Sequence, residues 1–261
     1  MPLSSDIIEE LEFLVRSPNR VQILTTLSET AHAQKDELQA GIDGSRTTLT
    51  RNLDALEDRG WLRTDNYACT ITPAGREIIA DFQELVATAN VTSRFQEFFK
   101  WLSADEFNLD LRTLANAELV VPEAGDPYTV VNQHIAKLEN TAHMRALLPV
   151  TGLHAHEKAR EQIVANDAEG ELVVIPDVAD THRSSPEYEE LTREMAATGR
   201  FAEYMYNGEI PYGLALLDQT VQIMVDENGE PRAMLETATT DVYNWAEETY
   251  ETYKAQATQV I

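Results

Sequence analysis

The segment Ser45–Leu62 places the strongest constraint on how this chain folds. Its apolar residues Leu49, Leu53 and Leu56 recur at the spacing that buries one stripe of a helix. Gly60 follows, the residue type that most readily ends a helix. At 100° per residue, the face opposite the stripe is polar. It carries Arg46, Thr47, Thr50, Arg51 and Asp54. A short helix with an Arg- and Thr-rich N-terminal half is suited to insertion into the major groove of DNA.

Two short strands and a new helix follow. Trp61–Thr64 and Tyr67–Ile71 have the composition of strands, and Asp65-Asn66 forms the turn between them. Thr72 is a helix N-cap residue, and Pro73 occupies the first helical position. The pattern therefore predicts a helix, a two-stranded wing and a further helix. It also predicts that Cys69 is a small apolar residue beneath the wing, because no basic neighbour activates its thiol.

The N-terminal part resembles the winged helix-turn-helix of archaeal and bacterial transcription regulators. Upstream of the wing we predict a helix from Ser17-Pro18 to about Leu27 and a shorter helix over Lys35–Ala40. The resulting order is helix, helix, turn, helix, wing, helix, over roughly residues 5–90. Its most specific part is "LTRNLDALEDRGWL … ITPAG". The resemblance implies a DNA-binding domain over residues 1–90, with double-stranded promoter DNA as its partner.

The candidate DNA contacts lie at the start of the central helix and in the wing. They are Ser45, Arg46, Thr47, Thr50, Arg51, Arg63, Asn66 and Tyr67. Arginine and short polar side chains, with backbone N–H groups at a helix start, are the groups that contact phosphates and base edges. A winged helix used only for protein contacts is the alternative.

The charge of the chain argues against simple electrostatic attraction to DNA. The net charge is −25, from 45 Asp and Glu against 20 Lys and Arg, and Lys is scarcer than Arg. Residues 1–75 hold 7 basic and 12 acidic residues, which gives −5. This composition is typical of proteins from a salt-saturated cytoplasm, where the Debye length falls to roughly 3 Å and only local contacts count. An acidic partner-binding surface or a nucleic-acid mimic is the alternative.

An aromatic segment separates the two halves of the chain. We predict helices over Pro73–Ala89 and Thr92–Leu102, and we interpret residues 91–115 as a helical linker. The second helix carries Phe95, Phe98, Phe99 and Trp101. These side chains favour either a homodimer interface, which matches a two-fold operator, or packing onto the chain's own C-terminal domain.

The second half alternates apolar strands with helices. Three strands each close in proline, at Glu118–Pro122, Met144–Pro149 and Glu171–Pro176, and helices lie between and after them. Later strands include a pair joined through Asn228-Gly229, a hairpin signal, and a final helix spans 241–257. This pattern predicts an α+β or α/β fold for residues 116–261, with a mixed, largely parallel sheet.

A second resemblance covers about residues 116–257. The blocks "ELVVPEAGDPYTVV", "HMRALLPVTGL", "SPEYEELTREM", "GEIPYGLALLDQTVQIMV", "GEPRAMLET" and "WAEETYETYK" look like the effector domain of the archaeal methanogenesis-regulator (FilR) family. Many haloarchaeal winged-helix regulators carry this domain. The resemblance implies a domain that senses a small cytoplasmic molecule, with an architecture similar to phospholipase D. It names a role and no metabolite.

The effector site is expected where loops leave the carboxyl ends of the strands. The candidates from these loops are Thr151, Gly152, His154, Asp177, His182, Arg183, Tyr206 and Tyr212. N–H groups at Thr151-Gly152 and the charge of Arg183 are suited to an anion. Solvated loop side chains without a ligand are the alternative.

Enzymatic and metal-binding roles find little support. His156-Glu157-Lys158 matches the start of the phospholipase D motif, but Ile163 stands at the acid position. His154 and His156 point apart on a helix start, so we predict no metal site, no cofactor and no catalysis.

The absence of an 18-residue apolar run and of a signal peptide predicts a cytoplasmic protein, and a single cysteine excludes an internal disulfide. The sequence thus predicts a dimeric, ligand-sensing transcription regulator; the alternatives are a ligand-independent adaptor or an enzyme.

Overall fold

A computed structural model describes residues 4–65, 67–103 and 107–261. By its internal contacts the chain divides into two units, Met1–Ala87 and Thr88–Ile261. The boundary lies within a continuous helix, Pro73–Arg94, so the helix break that we predict after Ala89 is wrong. Among the described helices, none is both long and apolar enough to cross a membrane.

The N-terminal unit combines helices with a small sheet. In chain order its elements are α1 (Ser5–Val15), α2 (Pro18–Thr30), β1 (His32–Gln34), α3 (Lys35–Ala40), α4 (Arg46–Glu57), β2 (Leu62–Thr64), β3 (Ala68–Ile71) and the start of α5 (Pro73–Arg94). The Oγ atom of Ser45 accepts a hydrogen bond from the backbone N–H of Thr48, at 3.3 Å, and so caps α4. Leu49, Leu53 and Leu56 are buried in the core of this unit, which confirms the predicted stripe. Each buried leucine contributes about 1.5–3 kcal/mol.

The wing has three strands, where the sequence predicts two. Its antiparallel order is β1-β3-β2, with His32 opposite Thr70 and Arg63 also opposite Thr70. The missed strand, His32–Gln34, is short and carries a single apolar residue, Ala33, which is buried. Three residues are too few to show alternation in a sequence.

The C-terminal unit is built on an eight-stranded mixed sheet. Its further elements are α6 (Gln96–Phe99), a 3₁₀ helix (Leu111–Asn116), β4 (Glu118–Val120), α7 (Thr129–Leu138), β5 (His143–Leu148), α8 (Leu153–Ala165), β6 (Glu169–Val174), α9 (Pro176–Ser184), α10 (Pro186–Ala197), β7 (Phe201–Met205), β8 (Gly213–Leu217), β9 (Thr220–Glu227), β10 (Glu230–Thr237), α11 (Thr240–Gln256) and β11 (Thr258–Gln259). The strand order is β11-β7-β6-β5-β8-β9-β10-β4. The mixed α/β fold class is thereby confirmed.

The parallel part of this sheet is smaller than we predict. Within the described residues, only the β5–β6 and β6–β7 pairings are parallel, and β4 pairs antiparallel with β10 at the sheet edge. The pairings β5–β8, β8–β9, β9–β10 and β10–β4 are all antiparallel, so strand direction alternates from β5 to β4. Strands β9 and β4 therefore run in the same direction as β5. Strands β4, β5, β6, β7 and β9 therefore end at the same edge of the sheet.

Helices cover both faces of the sheet. On one face α7, α8, α9 and α10 bury residues such as Leu138, Ile163, Val178 and Met195 against it. On the other face α6 and α11 pack over the strands. Phe95 and Phe98 are fully buried in that second core, with Phe99 and Trp101 packed against it. The segment that we interpret as a linker is thus part of the C-terminal unit, which is the second of the two alternatives for its aromatic residues.

Candidate functional site

The polar face of α4 is open to solvent in the N-terminal unit. Ser45, Arg46, Thr47, Thr50 and Arg51 are all exposed, as the helical spacing predicts. The Arg46 guanidinium forms an ion pair with Asp36 at 3.3 Å, and both side chains are 84% exposed. An exposed pair of this kind is worth about 0–1 kcal/mol. Arg46 is therefore easily released to another partner.

Three arginines, Arg20, Arg51 and Arg59, lie near one another in this acidic unit, and Arg59 forms an ion pair with Glu10 at 2.8 Å. Burial and, to a smaller extent, the charges of Arg59 and Arg51 lower the pKa of Arg20. The guanidinium carbons of Arg20 and Arg59 lie 3.7 and 3.4 Å from the centre of the Phe13 ring. These contacts hold two of the arginines against the core, while Arg51 remains exposed.

The wing is fastened to the end of α4. The Glu57 carboxylate accepts hydrogen bonds from the backbone N–H of Thr64 at 2.7 Å and from its hydroxyl at 2.8 Å, which lowers the pKa of Glu57. At the tip, Asp65 accepts from two backbone N–H groups, and Tyr67 is 81% exposed. Arg63 is exposed on β2. Asn66, the remaining predicted contact in the wing, lies outside the described residues.

In the C-terminal unit, a cavity of about 300 Å³ lies between helices α7 and α8 and the sheet. Its wall is mostly aliphatic, with Met144, Leu172 and Met224 among the side chains from the strands. Three polar side chains reach it, those of Thr151, His134 and His156. Gly152, at the start of α8, and Gly229, in the β9–β10 turn, also line it and are exposed. The cavity therefore reaches the edge where the parallel strands end.

A chain of hydrogen bonds runs behind Thr151. The Thr151 Oγ1 atom lies 2.9 Å from Nε2 of His182, whose Nδ1 lies 2.6 Å from Oε2 of Glu203. Both His182 and Glu203 are completely buried. Because a carboxylate only accepts, Nδ1 of His182 carries a proton, and in the neutral ring Nε2 accepts the Thr151 hydroxyl. The Tyr188 ring stacks on the His182 ring, with their centres 5.4 Å apart.

His156 packs against this chain. Its ring centre lies 4.4 Å from that of His182, and its Nε2 lies 2.9 Å from the Thr192 hydroxyl oxygen. Burial, with a smaller effect of His182, lowers the pKa of His156 to about 3. His156 is therefore uncharged at neutral pH.

His134 is held from the opposite wall. Its Nδ1 lies 2.7 Å from Oε1 of Gln222, and the Gln222 amide nitrogen donates to Glu236. Since Gln222 Oε1 is thereby an acceptor, Nδ1 of His134 is the donor, which leaves Nε2 as an acceptor. Burial lowers the pKa of His134 despite its bond to Gln222.

The structure brings together Thr151, Gly152 and His182 of the predicted effector residues. We predict that Pro176 ends a strand and that His182 follows in a loop, but Pro176 begins helix α9, and His182 lies within it. Asp177 and Arg183 are exposed on the same helix, and His154 is exposed and bonded to Glu157. None of these three lines the cavity.

The two predicted tyrosines are on the opposite face of the sheet. Tyr206 packs against Tyr253 of α11, and the buried Tyr212 packs against Trp245 and Phe107. Both belong to the core under α11, so neither contributes to the cavity.

Sequence reasoning missed several residues of the cavity wall and of the buried polar cluster behind it. They are His134, His156, Tyr188, Thr192 and Glu203. One signal was present for Glu203: it alternates with Phe201 and Met205 on β7, so period two places its side chain on their inward face. Among the described residues, no group of three His, Cys, Asp or Glu side chains is arranged to hold a metal ion.

A larger and more open depression of about 660 Å³ lies at the opposite end of β5 and β6. Its arginines already have acidic partners: Arg145 contacts Glu247 at 2.7 Å, and Arg200 contacts Asp167 at 3.0 Å. Because these charges are compensated within the protein, the smaller apolar cavity is the better candidate for a ligand.

Two family models match the chain, one in each half. Residues 8–94 match the HVO_A0261 N-terminal domain, and residues 127–256 match the middle domain of methanogenesis regulatory protein FilR1. No curated protein matches the sequence significantly. The match in the second half is to a domain of a regulatory protein.

Several solved structures are similar at low identity. TrmBL2, described as an archaeal chromatin protein with a novel mode of DNA binding, is 12% identical, with 97% of this chain and 99% of that chain covered and a TM-score of 0.44. The phospholipase D family member Nuc from Salmonella typhimurium is 9% identical over 55% of this chain and 97% of its own, with a TM-score of 0.43. NucT from Helicobacter pylori is 10% identical over 55% and 98%, with a TM-score of 0.41. Identities this low give no basis for transferring the role of any residue.

Proposed function

We propose that this chain is a sequence-specific regulator of transcription that binds double-stranded promoter DNA and senses a small molecule. The observation that carries the proposal is the exposed polar face of α4, capped by Ser45 and carrying Arg46 and Arg51 beside a three-stranded wing. The match of residues 127–256 to the middle domain of methanogenesis regulatory protein FilR1 supports a regulatory role.

Helix α4 enters the major groove with its N-terminal half, and the wing contacts the adjacent backbone or minor groove. Arg46 and Arg51 contact base edges or phosphates, and Ser45 and the first backbone N–H groups contact a phosphate. Arg63 and Tyr67 approach from the wing. In concentrated salt the negative net charge is screened within about 3 Å, so these local contacts decide affinity.

The C-terminal unit is the sensor. Its cavity supports this assignment, because ligand sites are concave, largely apolar and provided with few polar groups. The protein acts as a homodimer on a two-fold operator, and ligand binding changes operator affinity through α5, which has residues in both units. If saturating ligand leaves operator affinity unchanged, the sensing half of the proposal fails.

The hydrogen-bonded residues Thr151, His182 and Glu203 stand in the order of a nucleophile, a base and an orienting acid. Acyl transfer, however, requires the histidine to exchange protons with a leaving group and then with water. His182 is completely buried, with both ring nitrogens in hydrogen bonds within the protein. These hydrogen bonds are thus better suited to positioning Thr151 than to catalysis.

Chromatin immunoprecipitation at native salt tests DNA binding. The full chain is compared with the double variant Arg46→Ala/Arg51→Ala and with Arg193→Ala, which removes an exposed arginine from the C-terminal unit. We expect discrete promoter peaks that persist in Arg193→Ala and disappear in the double variant. Peaks that survive the double variant contradict the role of α4, and the absence of peaks in all three proteins favours an adaptor that uses the winged helix for protein contacts.

A further inference from the structure

We propose that the cavity between α7 and α8 binds an uncharged, largely apolar molecule that donates a hydrogen bond to Thr151. This inference rests on the proposed sensing function and gives the chemical class of the ligand. It replaces the anionic ligand that the loop residues Thr151-Gly152 and Arg183 suggest in the sequence.

The space exists because small side chains face each other across it. Ala146 and Ala215 line it from the sheet, and Ala155 and Ala159 line it from one side of α8. Its volume of about 300 Å³ lies at the lower end of the range for ligand sites. Since about 150 Å³ is enough for a benzene-sized molecule, the cavity is suited to roughly two fused rings or an aliphatic chain of similar volume.

The wall excludes a charged ligand. Among the described residues that line the cavity, none is Arg, Lys, Asp or Glu. The charged side chain that borders a smaller adjoining cavity of about 50 Å³ is Asp226, which repels an anion. Arg183, the cation that an anion requires, is exposed on α9 and away from the cavity. An unpaired charge placed among aliphatic side chains is strongly unfavourable.

The polar groups present acceptors. When the His182 ring is neutral, its Nε2 takes the Thr151 hydroxyl proton, so that lone pairs are the remaining capacity of Thr151 Oγ1. Nε2 of His134 is likewise an acceptor. A ligand alcohol, phenol or amide N–H satisfies these groups, whereas a carboxylate brings only acceptors.

Methionine methyl groups give a direct test. Met144 and Met224 line the cavity, whereas Met195 is buried in the neighbouring core and does not line it. The full chain, labelled with ¹³C at the methionine methyls, is titrated with 2-naphthol or 2-naphthoate. We expect 2-naphthol to shift the Met144 and Met224 signals through its ring current, to leave Met195 unchanged, and to bind at least tenfold more tightly than 2-naphthoate.

Matched variants locate the contacts. Ala159→Met fills the cavity and should abolish the shifts, while Ala197→Met makes the same change at an exposed site of α10 and should preserve them. Thr151→Val should weaken the binding of 2-naphthol about fivefold, which is the effect of losing one neutral hydrogen bond. Thr151→Ser, which keeps the hydroxyl, should restore the affinity. Melting temperatures establish that each variant is folded.

Three results would overturn this inference: equal or tighter binding of 2-naphthoate, unchanged binding in Ala159→Met, or shifts confined to other methionines. Operator binding is measured separately on the same proteins. A chain that binds its promoter but gives one of these three results loses the ligand class and keeps the proposed regulatory function.

Discussion

The Nε2 atom of His182 lies 2.9 Å from the Oγ1 atom of Thr151, and this bond joins the loop after β5 to helix α9. On the other side of the ring, Nδ1 contacts Glu203 of β7. The backbone N–H of Glu203 in turn donates to the carbonyl of Ile261 at 3.4 Å. A molecule that bonds to Thr151 therefore contacts a series of hydrogen bonds that runs from the loop after β5 through α9 and β7 to Ile261.

Glu203→Gln tests the strength of this chain. A hydrogen bond to a charged group contributes about 1.5–3 kcal/mol, against about 1 kcal/mol for a neutral one, so we expect a loss of about 1–2 kcal/mol in the free energy of unfolding. Urea denaturation at constant salt measures the change. Glu209→Gln, at an exposed position, should stay within about 0.5 kcal/mol of the parent protein. Equal stabilities of the two variants would show that the buried carboxylate contributes nothing through its charge.

His156 makes stability depend on pH. Its pKa is about 3 in the folded protein and roughly 6.5 in the unfolded chain. Between these values the unfolded chain binds a proton that the folded one does not, so its contribution is complete above pH 6.5 and is lost as pH falls toward 3. The expected slope from this group is about 1.4 kcal/mol per pH unit.

The variant His156→Gln should lose that part of the slope between pH 6 and pH 4, as measured by denaturation at each pH. His154→Gln is the matched control, because the His154 side chain is 81% exposed. A parent slope that His156→Gln leaves intact would assign the pH dependence to other groups.

The sequence predicted helices α2 to α4, strands β2 and β3 and the start of α5 because each signal there is local, whereas helix α1 and strand β1 were missed. Ser45 and Thr72 cap helices, Pro73 begins one, and the leucine stripe of α4 follows the helical period. The cavity was harder to predict, because Ala146, Ala155 and Ala215 are ordinary core residues in the sequence. Only the folded sheet brings them opposite one another and leaves space between them.

The buried polar chain shows a different limit. Thr151, His182 and Glu203 are far apart in sequence. His182 follows Pro176 by six positions, and its residue type is equally compatible with a loop and with a helix. The proline gives the deciding signal, since it occupies the first position of α9. Sequence periodicity places Glu203 on the inward face of β7, but its partner depends on where α9 packs.

Gly75→Ala should disrupt the junction between the wing and α5. A Cβ atom at this position would lie 2.0 Å from the carbonyl oxygen of Trp61, which already accepts a hydrogen bond from the N–H of Thr72. Backbone must move to admit it, so we expect a loss of about 3 kcal/mol. Gly41→Ala is the matched control, because its added Cβ would make an ordinary 3.8 Å contact. Thermal unfolding compares the two, and similar melting temperatures would contradict the close approach.

Cys69 should be unreactive in the folded protein. It is completely buried in the central strand of the wing, and burial raises the pKa of its thiol. Labelling with a thiol reagent should therefore proceed at the rate of unfolding and accelerate in urea. Cys69→Ser should destabilise the protein more than Cys69→Ala, by about 1–3 kcal/mol, because the hydroxyl is buried without a prepared partner. Rapid labelling in native conditions would indicate an accessible, reactive thiol.

Arg51 and Arg63 should affect DNA binding in different ways. Arg51 projects from the exposed face of α4, so Arg51→Ala should reduce the preference for the operator over a scrambled sequence by about 1–3 kcal/mol. Arg63 lies on β2 of the wing, so Arg63→Ala should weaken both sequences similarly and reduce the slope of log affinity against log salt by about 1. Fluorescence anisotropy over a salt series measures both quantities, with Arg193→Ala as the control for loss of an exposed charge.

If Arg51→Ala weakens binding to both sequences equally and Arg63→Ala removes the preference for the operator, the wing contacts the bases and α4 contacts only the DNA backbone. If neither variant changes affinity, residues other than these two arginines make the contacts with DNA.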